Sequence, residues 1–218
     1  MQEKNLQLER LVFFCDAVVA IAITLLALNI KIENPVGGHL HFSDITKQWK
    51  TFAAFSLSFV NIANFWKTHH SFFYYIKKVD EKLLWYNICW LFFIVLLPFS
   101  TSLVSSYFFD HTAIAVYSLN TLLIALFQNN IWDYASEKAD FIKTESIDTN
   151  TAWMFRLFCN LELINALLAI GISFLNPTVA FILLFTKLPI MLIARVFYGG
   201  KIRESFGDRR KKTGVDEP

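Results

Sequence analysis

The sequence predicts an all-α integral membrane protein, and three observations carry that prediction. Of the 218 residues, 55% are hydrophobic and only 17% charged, whereas a soluble domain carries about 25% charge. The apolar residues gather in runs of the roughly 20 residues that a helix needs to cross a hydrocarbon layer ~30 Å thick. Those runs lack the two-residue alternation of an outer-membrane barrel. Composition excludes a soluble globule, and 23 Phe against 7 Gly and 5 Pro exclude a disordered or fibrous chain.

Six spans are expected. The first, residues 11–30, carries Asp16 and is followed by no small-residue cleavage site, so it reads as a retained helix and not a signal peptide. The second, 52–66, is diluted by Ser56, Ser58, Asn61 and Asn64, with an extension toward Ile76. The third, 83–104, contains Pro98, which kinks the helix and frees a carbonyl that Ser100, Thr101 or Ser102 is placed to compensate. The fourth and fifth are 113–132 and 155–175, and a turn at Asn176-Pro177 leads into the sixth, 178–198. The connection around Gly37-Gly38-His39 reads as a loop or a short interfacial helix. Residues 1–200 thus form one membrane domain, and 201–218 a basic tail whose run Arg209-Arg210-Lys211-Lys212 is a topology anchor for anionic lipid.

Six spans place both termini on one side of the membrane. That side has Lys4 and Arg10, then Lys67, Lys77, Lys78 and Lys82, then Lys138 and Lys143, and finally the six basic residues of the tail: fourteen cations. The other side has three, Lys31, Lys47 and Lys50. Positive loops stay inside, so both termini are expected in the cytoplasm and the protein in the cell's inner membrane.

Several chemistries are missing. There is no zinc-protease, nucleophile-elbow or phosphate-loop pattern, and no T-V-G-Y-G filter; the expectation is a protein that is not an enzyme. Cys15, Cys89 and Cys159 sit in apolar runs without metal-ligand spacing and read as buried small hydrophobes. His69 and His70 are adjacent, and neighbours on a helix point about 100° apart, so they are expected to hydrogen-bond and not to hold a metal. A net charge of +2 gives no reason to expect a nucleic-acid partner. Trp85, Trp90 and Trp132 read as interface or core aromatics.

The first span is the informative one. An unpaired acid at mid-membrane costs about 2.5–3.5 kcal/mol, so Asp16 is expected to face protein. On a helical wheel Phe14, Ala17, Ile21, Thr24, Leu25 and Leu28 share one side, and Asp16, Ala20, Ile23 and Ala27 lie roughly opposite. The second set is a small-residue stripe suited to close packing. Trp66, His69 and His70 are expected to supply donors to Asp16; Arg10, about 120° away, is poorly placed for a pair within its own helix. The stripe of Ile21, Thr24 and Leu28 has two readings. One is ordinary packing. The other is a pore wall, where large aliphatics form a constriction that gates by dewetting and a hydroxyl offers oxygen to a cation; one helix cannot enclose a pathway, so this reading requires symmetry-related copies.

Arg10-x-x-x-Phe14-Cys15-Asp16, followed by Ala20-Ile21 and Thr24-Leu25-Leu26-x-Leu28, resembles the R-x-x-x-F-S-D first helix of the endolysosomal potassium channel family, in its six-span bacterial branch. Phe65-Trp66-x-x-His69-His70, Leu84-Trp85-x-Asn87 and Leu96-Leu97-Pro98-Phe99-Ser100 extend the resemblance in order, to about Ser106. The resemblance implies a homotetramer whose first helices line a central potassium-preferring pore, with no cofactor beyond the permeant ion. It implies that Ile21 and Leu28 form apolar constrictions, that Thr24 forms the selectivity layer, and that Leu25 and Ala17 flank the lumen. Arg10, Phe14, Cys15, Asp16, Trp66, His69 and His70 would form a structural polar network. Cys15 stands where the family has Ser, and a thiol is the weaker hydrogen-bond partner.

Asn160, Glu162 and Asn165 in the fifth span and Lys187 in the sixth invite a Glu162–Lys187 pair. A proton-coupled secondary transporter using Asp16 and Glu162 is the rival function, and a non-conducting structural protein is the third.

Overall fold

The computed structural model describes residues 2–30, 39–138, 140–143 and 149–186, and within them every long element is helical. They are α1 (Gln2–Leu25), running on into a 3-10 turn Leu26–Asn29, α2 (Phe42–Lys47), α3 (Trp49–Tyr75), α4 (Glu81–Ser106), α5 (His111–Ser136) and α6 (Thr149–Ser173). A further helix, α7, is described over Pro177–Thr186. The expected short helix before the second span is α2. Lys187, Pro189 and the basic tail lie outside the described residues, as does Gly37-Gly38.

Four of the described helices are long and apolar enough to cross a membrane: Leu6–Asn29, Glu81–Ser106, His111–Ser136 and Thr151–Ser173. α3 matches them in length at 27 residues, and its polar residues explain both its weak hydropathy and its continuity. Ser58 and Asn61 are buried and face α5, donating to the Tyr117 hydroxyl at 3.1 and 2.8 Å. The Thr101 hydroxyl of α4 lies 2.6 Å from that of Ser58, and Asn120 of α5 donates to Ser100 of α4 at 3.2 Å. Donors met by neighbouring helices are shielded from lipid, so α3 runs unbroken through them.

Aspartates start the helices. Asp80 accepts from the Leu83 amide before α4, and Asp110 from Thr112 and Ala113 before α5, occupying amides that no helical turn precedes. Asn176 does the same for α7, accepting from Val179 at 3.1 Å, directly after the turn that ends α6. α1 packs against α3 and α4, while α5 lies against α3, α4 and α6. Asn165 of α6 donates to the Leu183 carbonyl of α7 at 3.0 Å. Trp90 and Trp132 are core side chains, fully buried, whereas Trp85 is exposed on α4.

The connections after α3 and after α5 are joined. Ile76 and Ile142 form an isolated antiparallel bridge, with Lys77 N–H donating to Phe141 and Lys143 N–H to Tyr75. Asp80 accepts from Tyr134 at 2.6 Å and from Lys138 at 3.3 Å, and Lys78 pairs with Asp140 at 2.6 Å. Partial burial pushes the Asp80 carboxyl up, but the Tyr134, Leu83 and Lys138 hydrogen bonds outweigh it and hold the group below the usual carboxylate range.

Pro98 sits inside a helix assigned as continuous from Glu81 to Ser106. Ser100 and Thr101 both turn back, as expected, but to the Leu97 carbonyl at 3.0 and 2.7 Å. The carbonyl freed by a proline is the one four residues earlier, here that of Ile94, so the expected compensation is displaced by one turn.

Candidate functional site

α1 is divided lengthwise. Leu11, Cys15, Val19, Ala22 and Leu26, spaced at one helical turn, are buried against α3 and α4. Phe14, Ala17, Ile21, Thr24, Leu25 and Leu28 are exposed, Ile21 at 60% and Leu28 at 67%. All six residues on the wheel side singled out in the sequence therefore remain uncovered by the described residues of their own subunit.

The opposite side needs correcting. Ala20 and Ala27, expected to pack, are exposed; the face that packs is centred on Cys15. A helix apolar on nearly all sides has no amphipathic moment to set its rotation, so which side of α1 turns inward follows from its packing against α3 and α4.

On the exposed face, the Thr24 hydroxyl donates to the Ile21 carbonyl at 2.8 Å. Its one proton is thereby committed, and its lone pairs remain for a cation or water. C-terminal to Asp16, α1 carries no charged residue. From Leu26 the helix tightens to a 3-10 turn, ending where the Ile30 amide bonds Ala27 O at 3.1 Å. Ile21 and Leu28 are then separated by about 12 Å along the axis, with Thr24 between them.

The polar groups beside this face form two clusters. Trp66 Nε1 donates to Asp16 at 2.8 Å, and the His70 ring lies 5.5 Å from that of Trp66. His69, one residue earlier, points the other way and is buried. Its Nε2 is 2.8 Å from Asn87 Oδ1, its ring stacks on Trp90 at 4.3 Å, and Cys15 Sγ reaches the same Asn87 oxygen at 4.0 Å. Because Asn87 Nδ2 donates to the Leu83 carbonyl at 2.8 Å, its Oδ1 is the acceptor and His69 carries a proton on Nε2. The expected single network is thus two, split by the 100° between His69 and His70. Arg10 and Phe14 stand outside both: Arg10 is exposed, and Phe14 is 56% exposed on the Ile21 side, because the wheel places it a full turn before Ala17 and away from Cys15.

Asn87 is the residue that sequence reasoning passed over as a site. Its signals were a lone amide in the apolar run of α4 and its place in the Leu84-Trp85-x-Asn87 motif. Glu162 lies elsewhere, in a small cleft of α3, α5 and α6 with Thr68, Gln128 and Cys159, so the acids of the transporter reading occupy different parts of the bundle. Its suggested partner Lys187 falls outside the described residues.

Known proteins resemble this chain in sequence and in fold. Residues 10–98 match the family model for the endosomal/lysosomal potassium channel TMEM175. A potassium channel of Streptomyces collinus is 30% identical over 167 residues, covering 75% of this chain and 81% of the relative. A potassium channel of Chamaesiphon minutus is 29% identical over 183 residues, covering 76% and 89%. The crystal structure of a lysosomal potassium-selective channel TMEM175 homolog from Chamaesiphon minutus superposes with a TM-score of 0.65 at 25% identity, covering 89% of this chain and 97% of that one. With residues 10–98 matched by that family model and a 30% identical relative covered over 81% of its length, the chain belongs to the TMEM175 family of potassium channels.

Proposed function

We propose that this chain is the six-span subunit of a homotetrameric potassium channel of the inner membrane, with α1 of each copy lining a central pore. What carries the reading is the face of α1 that the described residues of its own subunit leave uncovered, which from Phe13 to Leu28 is apolar except for the single hydroxyl of Thr24. Four copies around an axis would place rings of Ile21 and Leu28 on either side of a ring of Thr24 hydroxyls, with Ala17 and Leu25 flanking the lumen. An ion passing the aliphatic rings loses hydration, which makes them the barrier. The Thr24 lone pairs would replace part of that hydration and so discriminate between ions by the oxygen field they present. Asp16, held by Trp66, serves assembly and not permeation. Both termini lie in the cytoplasm, where the excess of Lys and Arg belongs, and no cofactor is required.

Potassium flux into proteoliposomes, single-channel recording and bi-ionic reversal potentials test this. Ile21→Asn is expected to wet the constriction and raise unitary current. Thr24→Ala is expected to keep conduction and erode the preference for potassium over sodium. An unchanged current in the first and an unchanged preference in the second would place the pathway elsewhere.

A further inference from the structure

The last turn of α1 is tied to the middle of α4 by one side chain. Asn29 Nδ2 donates to the Pro98 carbonyl at 3.2 Å, across 69 residues of sequence. Asn29 ends the 3-10 turn Leu26–Asn29, and within that turn Leu26 is fully buried while its neighbour Leu28 is 67% exposed. A 3-10 turn has poorer hydrogen-bond geometry than an α-helix and turns 120° per residue instead of 100°. Whether this segment is wound as 3-10 or as α therefore rotates Leu28 about the axis and changes its height. Helix ends also fray, since their last carbonyls lack helical partners. The acceptor lies inside the bundle: Pro98 is buried, one residue past the Leu97 carbonyl that Ser100 and Thr101 both meet, and a carbonyl keeps a second lone pair for Asn29 besides the one its own helix uses. Asn29 is the only polar side chain in the turn.

We propose that Asn29 is a positioning residue for ion passage: its bond to the Pro98 carbonyl holds the end of α1 in the 3-10 winding and so sets where the Leu28 ring stands in the pore. This rests on the reading of α1 as the pore wall. Thr24 lies five residues earlier, within the α-helical part and with its hydroxyl tied to Ile21, so the clamp acts on the constriction and not on ion preference.

The test uses the full-length channel with Asn29→Leu, which keeps the size and removes the donor, and Asn29→Asp, which keeps the shape and turns an acceptor toward the Pro98 carbonyl. Amide hydrogen exchange in nanodiscs over residues 26–30 is expected to speed up at least several-fold in both variants. Unitary potassium current is expected to change two-fold or more, with the potassium–sodium reversal potential unmoved. Leu28→Ala is expected to raise current in the parent channel and to add little in the Asn29→Leu background, because the ring it shortens is no longer held in place. Lower yield alone would not produce that dependence of one variant on the other. Unchanged exchange in both Asn29 variants overturns the clamp. Faster exchange with parent-like current, and with a Leu28→Ala effect that is the same in both backgrounds, overturns the positioning role. If Leu28→Ala, Ile21→Asn and Thr24→Ala are all silent in the parent channel, the pore reading itself falls, an outcome distinct from the other two.

Discussion

Asn87 offers the most direct test of how this bundle is held together. Replacing it with Leu keeps the volume and removes the oxygen that His69 Nε2 meets at 2.8 Å. His69 is 1% exposed, so no water can take the place of that oxygen, and the N–H is left unsatisfied. Leaving a buried donor without a partner costs about 1–3 kcal/mol. The Cys15 contact at 4.0 Å adds little, a thiol being a weak donor. The Leu83 carbonyl, which also accepts the Asn87 side-chain amide, keeps its helical partner and adds no comparable cost. A loss of about 2 kcal/mol in a chain of this length lowers Tm by about 4–8 °C. The second variant is His69→Phe, whose ring keeps the stack on Trp90 at 4.3 Å while removing the donor. Replacing both members of a hydrogen-bonded pair by apolar groups of similar shape is nearly neutral, so the double variant should recover most of the lost stability. Thermal unfolding of the detergent-solubilised protein, followed by tryptophan fluorescence, measures all four corners of the cycle. A parent-like Tm for Asn87→Leu, or a double variant whose loss equals the sum of the single losses, would refute the assignment of Asn87 as the acceptor for His69.

Three further outcomes are expected. Asp16→Ala removes the acceptor of Trp66 Nε1 and should lower the assembled fraction several-fold by light scattering in detergent, while the reversal potential of what assembles stays as in the parent; a normal assembly with altered selectivity would put Asp16 in the pathway. Tyr117→Phe leaves the Asn61 amide and the Ser58 hydroxyl without their shared acceptor and should cost about 1–3 kcal/mol by the same thermal assay; no loss of Tm would mean that another group satisfies them. Asp80 titrates below its usual range, so its contribution is full above the unfolded carboxylate pKa of about 4 and is lost as pH falls through the lower folded value. Proteolysis near residues 138–143 should therefore accelerate only in that acid window, and Asp80→Asn should show the faster cleavage already at neutral pH.

The kind of object this is can be read from the amino-acid order alone. Apolar run length defines a membrane helix because the hydrocarbon layer has one thickness, and so the first, third, fourth and fifth spans were legible, with ends close to those of α4 and α5, while α1 and α6 start nine and six residues earlier than expected, in polar sequence that hydropathy does not count. The stripe of Ile21, Thr24 and Leu28 was legible too, since helical spacing places those residues together whatever surrounds them. The rotation of α1 was not. Lipid and protein interior are equally apolar, so hydropathy cannot say which side of such a helix meets a neighbour, and the expectation for Ala20 and Ala27 failed for that reason. The polar contacts were hidden for a related cause. Asn29 with Pro98, Asn61 with Tyr117 and Asn87 with His69 are joined across 69, 56 and 18 residues of chain, and each pairing depends on the depth and turn at which two helices meet. Only the tertiary structure decides that, because it follows from the packing of whole helix faces and not from any property of one segment.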